Sequence, residues 1–137
     1  MIGFLANSED REYSHVLASC VLEHLPKRDG EMLLSEMKRV CAVSAVVFTP
    51  NGFVPQPPDS DNPANEHLSG WTPKELQCCG FVPVAGINGL KYLRSSFAIP
   101  TIKPLWLGEL VSRATGRLAY RFPRIAFQVI CVYKVPC

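Results

Sequence analysis

The strongest constraint on this chain is a strand–helix–strand pattern in its first fifty residues. Val16 to Pro26, VLASCVLEHLP, opens as an apolar run short enough for one buried strand. It passes through Ala18, Ser19 and Cys20 into a segment stopped by Pro26, which suits a parallel-type strand ending in a loop rather than a membrane span. A helix is expected next. Asp29 can cap it and Glu31 suits its positive end. Met32, Leu33, Met37, Val40 and Cys41 share one face, and Lys38 and Arg39 fall in the last turn. Ser44 to Thr49 is a second buried strand by length and β-branched content. Connections this short give a right-handed βαβ unit and a parallel pair. The carboxyl ends of the strands then lie side by side, so Ser19–His24 and Thr49–Phe53 are expected to face one crevice, where open α/β sheets place ligands.

The remainder reads as covers and further strands. Upstream, Ile2 to Leu5 could end a strand, and Asn7 to Glu12 is a polar connection. Asn51-Gly52 is either a hairpin turn or part of a functional loop; Pro50, Pro55, Pro57 and Pro58 oppose a returning strand. Phe53 to Ser69 is a long Pro-, Asp- and Asn-rich loop, expected to form a mobile cover over the crevice. Thr72 should cap a short helix with Pro73 and Glu75 in its first turn, ended by Gly80. Phe81 to Ile87 is a strand whose Pro83 places it near an edge, with Asn88-Gly89 as a turn. Pro104 to Phe122 should be mainly helical, with Leu105, Trp106, Leu110, Val111, Ala114 and Leu118 as apolar contacts and Glu109 paired with Arg113. Arg113, Arg117 and Arg121 form a stripe that reads as a solvated face or as a surface for an anionic substrate or lipid headgroup. Ile125 to Val135 is the strongest strand, expected to return antiparallel.

A length of 137 residues suits a single domain over 1–137, and 47% apolar with 19% charged residues is a globular composition. A net charge of +2 gives no argument for nucleic acid. No apolar run reaches the roughly 18 residues of a membrane helix, and MIGFLANSEDRE lacks a signal peptide's basic start. The six cysteines contain no C-x-x-C pair, so no metal site is expected, and a reduced, cytoplasmic protein is the default.

Val16 to Leu25 resembles the fourth-strand motif of class I S-adenosylmethionine-dependent methyltransferases, an apolar strand followed by V-h-E-H-h, where h is apolar. Ser14 stands where that family usually opens the strand with an acidic residue, and Cys20 where an acidic residue often precedes the valine. Thr49 to Pro73, with TPNGF, DNP and NEHLSGWTP, resembles the loop after the fifth strand in the methyltransferase type 11-like branch, and GFVPVAGINGLK is similar to the same branch. The resemblance implies an α/β fold, a partial Rossmann-like methyltransferase sheet of the fourth to seventh strands, mixed, with a final antiparallel strand. It implies S-adenosyl-L-methionine as cofactor, touched at its methionyl part by Ser19, Cys20, Val21 and Leu22, and a small-molecule methyl acceptor. His24 is the first candidate base, since its unperturbed pKa lies near 6.5, unless it is a structural histidine bonded to backbone. His67 is the second, unless it is an exposed loop histidine. Glu23 would hold the loop. Asn51, Phe53 and Trp71 would line the substrate side, Trp71 also serving as packing.

The glycine-rich cofactor loop and the strands before the fourth are not in this sequence. The chain is therefore expected to be the C-terminal part of such an enzyme and to bind the cofactor alone no better than about millimolar, roughly 4 kcal/mol. The first strand would be an uncovered edge that invites a second copy or a partner chain. The alternative is a non-catalytic, degenerate module of the same fold used for binding or pairing. Nucleotide-dependent dehydrogenase chemistry is excluded by the absence of G-x-G-x-x-G.

Overall fold

The computed structural model describes residues 2–58, 60–95 and 98–136. The strands are β1 (Tyr13–Ser19), β2 (Cys41–Pro50), β3 (Val82–Leu90) and β4 (Ala126–Lys134), and the helices are α1 (Ile2–Ala6), α2 (Lys27–Val40), α3 (Pro73–Cys78), α4 (Leu105–Ala114) and α5 (Gly116–Arg121). They form one four-stranded sheet in the order β1-β2-β4-β3. β1 and β2 are parallel, with Val16 opposite Ala45 and Ser19 opposite Phe48. β4 inserts antiparallel between β2 and β3. This is the mixed sheet with a final antiparallel strand that the sequence led us to expect. The proline-bearing strand β3 is an edge, as Pro83 required.

The core lies on one face of the sheet. Ala45 and Val47 of β2 and Val129 and Cys131 of β4 are fully buried, against Leu33, Leu34, Met37 and Val40 of α2 and Leu76 of α3. The opposite face carries a row of apolar cross-strand partners, Leu17, Val46, Val132 and Val82. At its two ends Leu17 is 67% exposed and Val82 54%. α2 and α3 cover the core face, while α5 packs Ala119 closely on Gly86 of β3, outside that core cluster.

Several local expectations are corrected. Ile2–Ala6 is a helix, not the end of a strand: Arg39 donates to the carbonyls of Leu5 and Ser8, satisfying acceptors that a strand would need a neighbour to fill. α2 starts at Lys27 after Pro26, so Asp29 lies in its first turn and caps nothing; Met32 points out, and Leu34 takes its place in the core. Asn51-Gly52 makes no hairpin but bridges to Trp71, with Gly52 at φ +82°. Asn88 (φ 61°) and Gly89 (φ 75°) do not end the strand; they sit where its register with β4 shifts, and it runs on to Leu90. Leu105, Trp106, Leu110 and Leu118 are exposed, the tight contacts of their helices being made by Gly108, Ser112 and Ala119. Arg113 does pair with Glu109, at 3.5 Å, and Arg94 reaches the same carboxylate at 2.9 Å. Cys137 lies outside the described residues.

Thr72 and Glu75 form the expected capping box on α3. Gly80, at φ +92°, ends it: its N–H bonds the Gln77 carbonyl and that of Phe81 the Leu76 carbonyl. Glu75 also accepts from Lys27 at 2.9 Å. Burial pushes its carboxyl up, but the hydrogen bonds from Lys27 and Thr72 outweigh this and hold it down, at about 2. A depressed carboxyl contributes stability that is complete above its ordinary value of 4.5 and is lost as pH falls from there towards about 2. Acid unfolding followed by circular dichroism should therefore show a smaller loss over that window in Glu75→Gln than in the unaltered chain.

Trp71 joins these layers. Its ring is 1% exposed, a Cβ at Gly30 would run into it, and the Lys27 ammonium sits 3.6 Å from a ring centre. Trp71→Ala should cost about 3–5 kcal/mol in urea unfolding. Trp71→Phe, which keeps the packing and loses the indole N–H bonds, should cost about 1–2 kcal/mol.

Candidate functional site

The site forms where β1 stops. The Cys20 N–H still bonds across to the Phe48 carbonyl at 2.8 Å, but Cys20 itself has φ +51°, a left-handed conformation unusual for a residue with a side chain. That reversal turns the chain into a 3-10 turn, Leu22–His24, instead of extending the strand. Leu22 is buried in the core, while Ser19 and Cys20 are exposed at the strand end.

Glu23 is 3% exposed, and its carboxylate accepts from the Thr49 hydroxyl of β2 at 3.0 Å. Its backbone carbonyl accepts from the N–H groups of Leu68 (2.8 Å) and Ser69 (3.1 Å). The Glu23 side chain thus ties the turn after β1 to β2, and its main chain holds the later loop. The loop 53–69 contributes one short 3-10 turn, Pro63–Asn65; Asp59 lies outside the described residues. The loop is fastened rather than free: the His67 N–H bonds the Gln56 carbonyl, Gln56 donates to the Asn65 carbonyl, and Lys27 donates to the Gly70 carbonyl at 2.7 Å.

These bonds bring His24 and His67 together from 43 residues apart. Their rings meet edge to face with centres 4.9 Å apart, and both are half-buried. His24 Nδ1 lies 2.9 Å from the Glu66 carbonyl and His67 Nδ1 2.7 Å from the Val54 carbonyl. A carbonyl only accepts, so each Nδ1 carries the proton and, in the neutral ring, each Nε2 keeps a lone pair. The structural reading of His24, a ring bonded to backbone, thus coexists with a free basic nitrogen. His67 is not the exposed loop histidine considered above.

Cys20, Glu23, His24, Pro50, Gln56, His67 and Gln128 line a crevice of about 170 Å³. A second hollow, of about 320 Å³, shares Cys20 and His24 and continues along Val21, Pro63 and Leu68. The ends of β1 and β2 therefore do face one crevice, through Cys20–His24 and Pro50. Phe53 is 57% exposed and does not border it. The buried Trp71 donates from its indole to the Leu22 carbonyl and the Ser69 hydroxyl, as a packing residue does. Asn51 is 2% exposed and its amide donates to the carbonyls of Arg124 and Ala126, both at 2.9 Å, tying the end of β2 to the entry of β4. It borders a separate cavity of about 660 Å³ walled by Lys74, Lys91 and Arg124, which none of the histidines reaches. Gln128 and Gln56 were missed in the sequence, because nothing in their surroundings marks them; only the sheet order and the loop closure bring them to the crevice.

No helix among the described residues is long and apolar enough to cross a membrane. No protein-family model and no curated protein matches the chain. A solved structure described as a SAM-dependent methyltransferase from Archaeoglobus fulgidus aligns with a TM-score of 0.54 over 98% of this chain, at 18% sequence identity. This chain spans 64% of that structure's length. At that identity the likeness establishes the fold: a mixed α/β sheet of partial Rossmann-like, methyltransferase type.

Partial burial, and then the neighbouring Glu23 carboxylate, push the Cys20 thiol up to about 11, so it is protonated at neutral pH. Iodoacetamide labelling of Cys20, mapped by mass spectrometry against pH, should rise only in strongly alkaline solution. Glu23→Gln should move that rise to lower pH while burial still keeps it above the ordinary 9.0. An unmoved profile would detach Cys20 from Glu23.

Proposed function

We propose that this chain is the C-terminal, acceptor-side part of a class I S-adenosyl-L-methionine-dependent methyltransferase of the type 11-like branch, acting on a small-molecule acceptor. The observation that carries the reading is the convergence at one crevice of two separate motifs that resemble the family, the E-H-L turn after β1 and the N-E-H-L-S-G-W loop after β2. Methyl transfer from a sulfonium is a direct displacement, so the protein mainly has to align donor and acceptor and, for a protonated acceptor, take up a proton. Ser19, exposed at the strand end, and Cys20 and Val21, which line the second hollow, offer one wall for the methionyl end of the cofactor. The Nε2 atoms of His24 and His67 supply the bases on the acceptor side. Asn51 and Trp71 support the site from behind by holding β2, β4 and the loop in place; Phe53 remains available on the surface for a larger acceptor.

A second reading, a non-catalytic module that pairs with another chain, is favoured by the apolar row whose ends, Leu17 and Val82, are exposed, and by the open β1 edge. The two readings share an interface, because the same face would receive either further strands and helices of an enzyme or a second copy.

Titration of the chain with S-adenosylmethionine, followed by amide NMR, tests the first reading. The expected dissociation constant is about millimolar or weaker, with shifts confined to Ser19–His24. Shifts centred on Lys74 and Lys91 instead, or none at about ten times that concentration, would overturn the cofactor wall. Micromolar binding would overturn the assignment as a partial site. In a complete, active form, His67→Ala should lower turnover or acceptor affinity.

A further inference from the structure

Glu23, His24 and His67 each offer one ligand atom, and the three atoms lie within 4.8 Å of one another. The geometry points to a divalent transition-metal site built from these three side chains, and we propose that it takes a cation of the zinc, cobalt or nickel kind with one position left open for a small ligand.

Three independent features carry the proposal. Both histidines donate Nδ1–H to a main-chain carbonyl, His24 to Glu66 and His67 to Val54, which fixes the ring orientation and leaves Nε2 as the free donor. This is the outer arrangement that metal-binding histidines characteristically have, and it also raises ligand basicity. Glu23 is a buried carboxylate with no lysine or arginine partner among the described ion pairs. Its neighbours, the Thr49 hydroxyl and the Cys20 thiol, orient it but bring no positive charge. A buried anion without a counter-charge is costly, and a cation between it and two neutral imidazoles removes that cost. Finally, two imidazoles and one carboxylate form a donor set suited to zinc and its neighbours, and three protein ligands leave a fourth position open, as in catalytic rather than structural sites.

Bonds of about 2.0–2.2 Å need ligand atoms about 3.3 Å apart in a tetrahedral site. The cluster must therefore draw in by an ångström or so. Val54 and His67 belong to the same loop, so a small shift of that loop towards the turn closes the gap with the Nδ1–H bond to Val54 kept. The open position faces the crevice of Gln56 and Gln128, where an oxygen, nitrogen or sulfur of a small molecule would bind. Metal binding uses none of the cofactor wall, but it takes the two Nε2 lone pairs proposed above as bases, so with the metal bound those nitrogens act as ligands and not as bases.

The test is titration of the metal-free chain with Co²⁺ and no other ligand, read by visible absorption and calorimetry. The expected result is one site with d–d bands of nitrogen and oxygen coordination and no thiolate-to-cobalt charge transfer, weakening in acid because bound protons compete with the metal for the ligand atoms. His24→Asn and His67→Asn place an amide N–H where Nδ1–H was, so each can keep its bond to the carbonyl while removing Nε2. Each should weaken Co²⁺ binding by at least about 100-fold, the upper range for losing an outer partner alone, with little change in the unfolding midpoint. Glu23→Gln should also weaken binding. A thiolate charge-transfer band, or Co²⁺ binding unchanged in the folded Asn variants, would overturn the site. So would no binding to the unaltered chain, which would leave the histidines as a pair of bases.

Discussion

The structure depends on the closure of the 53–70 loop onto the turn that follows β1. Two adjacent carbonyls do most of it. That of Leu22 accepts from the Ser69 hydroxyl and the Trp71 indole, and that of Glu23 accepts from the N–H groups of Leu68 and Ser69. The turn is only three residues long; its own Leu25 N–H reaches the Leu22 carbonyl at 3.3 Å, which leaves the Glu23 carbonyl and the remaining lone pair of Leu22 to outside donors. A loop arriving from more than forty residues away satisfies them instead. Without that exchange the polar main chain of the turn would be buried unpaired beside Leu22, at a cost of about 1–3 kcal/mol per group.

The same closure creates the chemistry. His67 reaches His24 because Leu68 and Ser69 are pinned to Glu23, and Glu23 is held in turn by Thr49 at the end of β2. Strand ends, turn and loop form a single hydrogen-bonded unit, so the geometry of the two rings is a property of the sheet rather than of a free loop. Trp71 completes the unit from below, where its bulk meets the bare backbone of Gly30 and the ammonium of Lys27. Gly70 is required for a similar reason: a Cβ there would run into the main chain at Phe53.

The main core lies on one side of the sheet. α2 and α3 seal a core in which Val47, Val129 and Leu76 are wholly buried, whereas the outward row ending at Leu17 and Val82 is left largely to solvent. Its four residues are cross-strand partners in register over all four strands, so they form one continuous apolar strip rather than isolated positions. It lies on the opposite face from the helices that support the crevice.

The sequence by itself determined the βαβ unit, its parallel pair, the capped helix after Thr72 and the edge strand with Pro83, because each rests on local chemistry: apolar period, strand length, a capping hydroxyl, a missing N–H. It also singled out His24, His67 and Glu23, since polar groups at a strand's carboxyl end and in a long proline-rich loop stand apart from their surroundings. It did not reveal that Ile2–Ala6 is helical, because a five-residue helix is decided by the arginine that closes its carbonyls, not by its own propensity. It offered Asn51 and Trp71 as substrate contacts. Tertiary structure placed both in the framework, because a buried amide and a buried indole go where unpaired carbonyls are, and those carbonyls belong to distant residues, Arg124 and Ala126 in one case and Leu22 in the other. Only the folded chain decided that three ligand-bearing side chains share one crevice, since that proximity is set by main-chain hydrogen bonds between segments with no common period or spacing.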